Sequence, residues 1–448
     1  MKTPIVDFLT QYASSKCIRM HMPGHKGIGE LERTDITEII GADSLFNADG
    51  IIGKSERYAG ENFGAYSFYS TEGSSLSIRA MLHLAGLYAR ENGSPPLILA
   101  GRNAHRSFIS AAALIGFATQ WLYSAEKSYL SCNITPSELD DKISSMIKKP
   151  TAVYITSPDY LGNIADIYGL SCVCKKHGIL LLVDNAHGAY LRFLDPSHHP
   201  IDLGADMCAD SAHKTLHALT GAGYLHISKN APKMFRDEAK SAMSLFASTS
   251  PSYLILSSLD KLNVILQDGY REKLSCKIQK INIIKRKLLD IGYTILDGEP
   301  LKITINAKPY GYTGDELSRI LYQKNIVSEF SDGDYLVLMP SLDTDDAELD
   351  VLLSVLNAVP KKEPLCFPTP TLTPPTCLLS PRDAVFSPSE EIFVDNALGR
   401  VLADVTVSCP PAVPILVSGE VVSEEAINAF KYYGTKKIKV IKNKHAET

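Results

Sequence analysis

Residues 179–188 read Ile-Leu-Leu-Leu-Val-Asp-Asn-Ala-His-Gly. The five consecutive apolar side chains show no alternation and are too few for a buried helix. That suits a strand covered on both faces, as parallel sheets require. A polar group, Asp184, Asn185 and His187, follows at the carboxyl end. The same order recurs along the chain: Leu97–Ala100 runs into Arg102, Asn103, His105 and Ser107, and Ala152–Ile155 into Thr156, Ser157, Asp159 and Tyr160. Met207–Ala209 runs into Asp210, Ser211, His213, Lys214 and Thr215, and Tyr224–Ile227 reads as a further strand. Between the runs lie helical segments, Ser75–Arg90 closed by Asn92-Gly93, and Ser137–Ile147 opened by Thr135-Pro136. Strands alternating with helices predict an α/β fold with a mostly parallel, doubly wound sheet.

Working outward, 448 residues exceed one core by about threefold at roughly 150 residues per domain. We expect an N-terminal arm over 1–50, a major domain over 51–265, a smaller α+β domain over 266–359, and an accessory C-terminal domain over 382–448. Residues 360–381 hold seven prolines and read as a linker or strap. With 45% hydrophobic and 21% charged residues the chain buries a large core, which excludes wholesale disorder. Forty-five basic against fifty acidic residues, without an extended basic block, gives no nucleic-acid footprint. Nine scattered cysteines with no CxxC pair predict reduced thiols and no metal site. No apolar run is long enough to span a bilayer and the N-terminus lacks a signal-peptide core, so a cytoplasmic protein without membrane partners is expected.

In an open parallel sheet, ligands bind beyond the carboxyl ends of the strands, which gathers the four polar groups on one edge. Singly each has an ordinary reading: Asp184 as a helix cap, Lys214 as a surface lysine, His105 and His187 as hydrogen-bonded core histidines. Beside them Ser70-Thr71-Glu72-Gly73-Ser74-Ser75 opens a helix, whose free N–H groups and dipole suit a phosphate. A lysine for a Schiff base, an aspartate for a pyridine nitrogen, an imidazole to cover a ring and a phosphate cradle are what pyridoxal 5′-phosphate requires. A nicotinamide site would need GxGxxG, which is missing. Gly53-Lys54-Ser55 lacks the leading glycine of a P-loop, since Ala48 stands there.

These residues fall in strings that resemble the Orn/Lys/Arg decarboxylase family of pyridoxal-phosphate enzymes, of aspartate-aminotransferase fold type. The strings are His21-Met22-Pro23-Gly24-His25-Lys26-Gly27, Arg102-Asn103-Ala104-His105, Ser157-Pro158-Asp159-Tyr160-Leu161-Gly162, Val183-Asp184-Asn185-Ala186-His187-Gly188 and Asp210-Ser211-Ala212-His213-Lys214-Thr215-Leu216. Ser248-Thr249-Ser250-Pro251-Ser252-Tyr253 and Pro410-Pro411-Ala412-Val413-Pro414 ahead of Gly419-Glu420 extend the likeness from residue 21 to 420. The resemblance implies that Lys214 carries the cofactor covalently, Asp184 pairs with its pyridine nitrogen, His105 stacks on the ring and Ala186 lies against the other face. It places Ser74, Ser75, Ser211 and His213 at the phosphate and His187 in the cofactor pocket. Ser248 and Ser250 would reach the phosphate from a partner subunit, making a homodimer with shared sites. It further implies decarboxylation of arginine, lysine or ornithine in polyamine metabolism. The short N-terminus matches the family's short form.

Several positions depart from the family pattern: Glu72 for asparagine, Arg106 for lysine, Asn185 for glutamate, and Ser408, Cys409 and Ala412 around the C-terminal prolines. A carboxylate at 72 would repel a phosphate unless it turns away or is paired. Lys214 or His213 would return the proton to Cα. For the substrate's distal cation Asp159, Glu329, Asp332 and Asp334 are candidates, the alternative for the last three being an exposed acidic loop. Two other readings stand beside decarboxylation: transamination, with Arg382 or Arg400 for the α-carboxylate, and a catalytically silent regulatory relative.

Overall fold

Hydrophobic pattern and glycine punctuation set the order of elements in the computed structural model, which describes residues 3–409 and 413–443. Pro410, Pro411 and Ala412, cited above for the family likeness, lie outside the described residues. Helix α1 spans Pro4–Ser14, α2 Ile51–Phe63, α3 Gly73–Glu91 and α4 Arg106–Ile115. The principal sheet contains β1 (Tyr66–Ser70), β2 (Leu97–Gly101), β3 (Ala118–Leu122), β4 (Ala152–Thr156), β5 (Leu180–Asp184), β6 (Met207–Asp210) and β7 (Gly223–Ile227). Their spatial order is β1-β7-β6-β5-β4-β2-β3, with β7 antiparallel to both of its neighbours. The five expected strands are present within a residue or two. Two were not expected, β1 and β3. β3 is an edge strand with alternate residues exposed, so it needs no apolar run.

By contacts the chain divides into two compact units, each interleaved in sequence. The first comprises Met1–Pro96, Leu139–Ser157 and Asp166–Leu274, and the second Leu97–Glu138, Pro158–Ala165 and Ser275–Thr448. In the first unit, β5 is buried along its whole length and its register pairs Thr156 with Asp184 and Asp184 with Ala209. Helix α1 is held from outside its own segment. Asp260 Oδ2, on the helix Tyr253–Ile265, accepts from the first-turn N–H groups of Ile5 and Val6, both at 2.9 Å.

The second unit has a four-stranded antiparallel sheet of β8 (Thr294–Ile295), β9 (Ile303–Asn306), β10 (Phe330–Ser331) and β11 (Tyr335–Leu338). The C-terminal tail shares its core: Phe330 and Val337 pack in one cluster with Ile415, Phe430 and Val440. Between them residues 360–380 run without helix or strand save one bridge, and Pro381 then opens the short helix Pro381–Val385. Among the described residues no helix is long and apolar enough to cross a membrane.

Candidate active site

β6 ends at Asp210 and the chain turns into one helical turn, Ala212–Thr215, which lifts Lys214 off the sheet edge. Its Nζ lies 3.0 Å from His187 Nε2; an ammonium can only donate, so the imidazole nitrogen accepts. Asp184 closes the neighbouring strand β5 and is buried. Its Oδ2 accepts from Tyr154 Oη at 3.1 Å and its Oδ1 from the Ala186 N–H at 3.2 Å. Burial pushes the Asp184 carboxyl above the usual carboxylate range, with Lys214, the Ala186 N–H and the Tyr154 hydroxyl opposing. Lys214 is the largest of the influences that oppose this rise. Tyr154 escaped the sequence reading because a tyrosine inside an apolar strand looks like core.

His213 Nδ1 donates to the carbonyl of Ala222 at 2.9 Å, since a carbonyl can only accept. The neutral ring then keeps its lone pair on Nε2. Burial lowers the His213 pKa, and Lys214 adds to this against the Ala222 bond. The first turn of α3 stands next to this group. Ser211 Oγ donates to Ser74 Oγ at 2.8 Å and accepts from the Ser74 N–H at 3.3 Å, while Ser75 lies half-buried one residue on. Gly73 has φ +66°, and a Cβ on Gly223 would stand 2.9 Å from the Asp210 carbonyl oxygen and from backbone carbon of Gly73. Close backbone packing thus shapes a small cradle of N–H and hydroxyl donors at a helix N-terminus. An amine, a buried carboxylate and this cradle in one unit fit pyridoxal 5′-phosphate.

Glu72 is paired: its Oε1 accepts from the Ser248 N–H at 2.7 Å within the same chain. Ser248 and Ser250 are exposed. His105 belongs to the second unit, where it caps α4, its Nδ1 accepting from the Ser107 N–H at 3.2 Å. The tautomer with the proton on Nε2 follows.

Behind β5 and β6 lies a second polar group that the sequence reading did not assemble. Asp210 Oδ1 accepts from Asn185 Nδ2 at 2.7 Å, and Oδ2 faces His199 Nε2 at 3.0 Å and His226 Nε2 at 3.4 Å. All four side chains are fully buried. Burial alone would raise the Asp210 pKa, but His199 and His226 outweigh it and hold the carboxyl well below its ordinary value. The buried Cys208 thiol donates weakly to Asp210 Oδ1 at 3.8 Å.

Of the acidic candidates for a distal cation, Asp332 and Asp334 are corrected from the exposed-loop reading, for both are buried. Asp332 Oδ1 takes the N–H groups of Asp334 and Tyr335, and Asp334 pairs with Lys308, Thr369 and Tyr432. Asp159 is spent on its own turn, accepting from the Leu161 and Asn163 N–H groups and from Asn163 Nδ2. Glu329 is exposed and accepts from Tyr160 Oη at 2.8 Å. Arg382 donates to the carbonyls of Ala113 and Leu114, and Arg400 to Glu390 and the Ile441 carbonyl, so both arginines serve as structural ties.

Residues 3–297 match the family model described as Orn/Lys/Arg decarboxylase, major domain. An arginine decarboxylase of Bacillus subtilis is 28% identical over 464 aligned positions, covering 95% of this chain and 92% of the relative. One from Halalkalibacterium halodurans is 28% identical, covering 94% and 91%. Among solved structures, the Francisella novicida lysine decarboxylase LdcF superimposes with a TM-score of 0.80 at 18% identity, covering 98% of this chain and 81% of that one. That likeness concerns the fold. With the match running through Lys214 and Asp184, the chain belongs to the Orn/Lys/Arg decarboxylase family of pyridoxal-phosphate enzymes.

Proposed function

We propose that the chain removes the α-carboxyl group of a basic amino acid, arginine first, releasing CO2 and the corresponding amine. The observation that carries this is Lys214 at the end of β6 opposite the buried, hydrogen-bonded Asp184 at the end of β5. The arginine decarboxylases at 28% identity support arginine over lysine and ornithine. When bound, pyridoxal 5′-phosphate supplies an electron-accepting ring. Lys214 would hold it covalently and give way to the substrate amine. Asp184, fixed by Tyr154 and the Ala186 N–H, would keep a proton on the ring nitrogen. Ser74, Ser75, Ser211 and His213 would receive the phosphate, with Ala186 and His105 against the ring faces. His187 Nε2, as acceptor from Lys214 Nζ, holds that amine in place. The proton that replaces the lost carboxylate would come from Lys214 Nζ or through His213 Nε2. A cytoplasmic homodimer, with Ser248 and Ser250 near the phosphate of the facing subunit, completes the reading.

The test is direct. The purified protein is incubated with the cofactor and, separately, arginine, lysine and ornithine, and amine and CO2 are measured. Agmatine from arginine without consumption of a keto acid is expected; no amine from any of the three overturns the proposal.

A further inference from the structure

The hydrogen-bonded pair behind the sheet ties together the two residues that the chemistry uses. Side chains alternate along a strand, so Asn185 and Asp210 occupy the opposite face from Asp184 and Ala209, which are register partners. Asn185 follows Asp184 directly, and Asp210 precedes Lys214 by four residues. The 2.7 Å bond from Asn185 Nδ2 to Asp210 Oδ1 therefore spans the ends of β5 and β6 at the point where both catalytic side chains leave the sheet. The other carboxylate oxygen is anchored by His199 at 3.0 Å, and His226 is fixed in turn by Ser67, 2.8 Å from its Nδ1. No member is exposed by more than 5%. In such surroundings a carboxylate in place of Asn185 would bring two negative charges into hydrogen-bond contact.

We propose that Asn185 and Asp210 form a clasp that positions Asp184 against Lys214, acting through the strand ends and touching neither substrate nor cofactor. This rests on the decarboxylase reading above. It predicts that the identity of either residue matters less than the pairing of one amide with one carboxylate. In a doubly exchanged protein, Asn185→Asp with Asp210→Asn, the new amide donates to position 185 and its oxygen still accepts from His199, so the bond across the strand ends is kept with its direction reversed, and the weak Cys208 contact is the bond given up.

The experiment compares wild type, Asn185→Asp, Asp210→Asn and the double exchange. Cofactor affinity of the apoprotein is measured by absorbance titration, with kcat, KM and thermal unfolding alongside. Asn185→Asp should weaken cofactor binding and lower kcat by about tenfold or more while KM stays within about twofold, and the double exchange should return both to within about threefold of wild type. Should Asn185→Asp fail to fold, Asn185→Ala, which removes the bond without adding charge, should lower affinity and kcat by about three- to tenfold. An Asn185→Asp protein as active as wild type, or a double exchange as impaired as Asn185→Asp, overturns the clasp. So does recovery of thermal stability in the double exchange without recovery of affinity and kcat. A wild-type protein that binds cofactor but yields no amine removes the decarboxylase reading and leaves the affinity series to decide the clasp.

Discussion

Glu420→Ala should cost the second unit more stability than any other single carboxylate removal, and the chain carries its own reporter for the effect. Arg102 and Glu420 are each 1% exposed and lie 3.0 Å apart. The guanidinium also donates to the carbonyls of Pro414 at 3.0 Å and Ile415 at 3.2 Å, and Glu420 Oε2 accepts from the Val417 N–H at 2.8 Å. Deleting one partner of a buried pair leaves the other charge uncompensated, at about 3–5 kcal/mol. With a urea dependence of about 3 kcal/mol per molar, the midpoint should fall by roughly 1–1.7 M. Trp121, the chain's one tryptophan, has its ring centroid 5.2 Å from Arg102 Cζ, so its emission follows this region during unfolding. Replacing both partners by apolar residues, Arg102→Met with Glu420→Leu, should recover most of the loss, because no charge remains buried. An unshifted midpoint in Glu420→Ala, or a double variant as unstable as the single one, would refute the reasoning.

Three further outcomes are expected. Lys214→Ala should lose amine production by at least about a thousandfold and the visible absorbance of lysine-bound cofactor with it; a variant keeping both shows that another amine serves. Glu72→Gln keeps an acceptor for the Ser248 N–H but removes a negative charge beside the phosphate cradle, so cofactor affinity should rise a few-fold at low salt, and unchanged or weaker binding counts against a phosphate at α3. Stability should decline as pH falls below about 6.5, because burial lowers the folded-state pKa of His226 and the unfolded chain binds the proton first. His83 and His213 shift in the same direction, so His226→Asn should reduce this slope in chemical denaturation at pH 5–8 without abolishing it.

Strands with buried runs, such as Leu180–Asp184, were readable because both faces must be apolar, whereas Ala118–Leu122 was not, since an edge strand has one side in water. Lys214 and Asp184 were legible because each stands where an apolar run stops. The Asn185–Asp210 clasp was not, for its histidines come from a loop and from the middle of β7, and nothing in local spacing links residues 199 and 226 to 210. Asp332 and Asp334 misled for the converse reason: Ser331-Asp332-Gly333-Asp334 has the composition of a solvated turn, yet both side chains lie below the surface, Asp332 on two backbone N–H groups and Asp334 against Lys308. Composition reports average solvation and misses partners supplied from afar.

The carboxylate that caps α1 sits 255 residues downstream of the helix it serves. During synthesis at about 5–20 residues per second, α1 therefore waits on the order of 13–50 s after its own synthesis for Asp260 to follow. The intervening chain must begin to fold without this cap in place. Nascent chains stalled before residue 260 should leave the arm open to protease, and those stalled well beyond it should not.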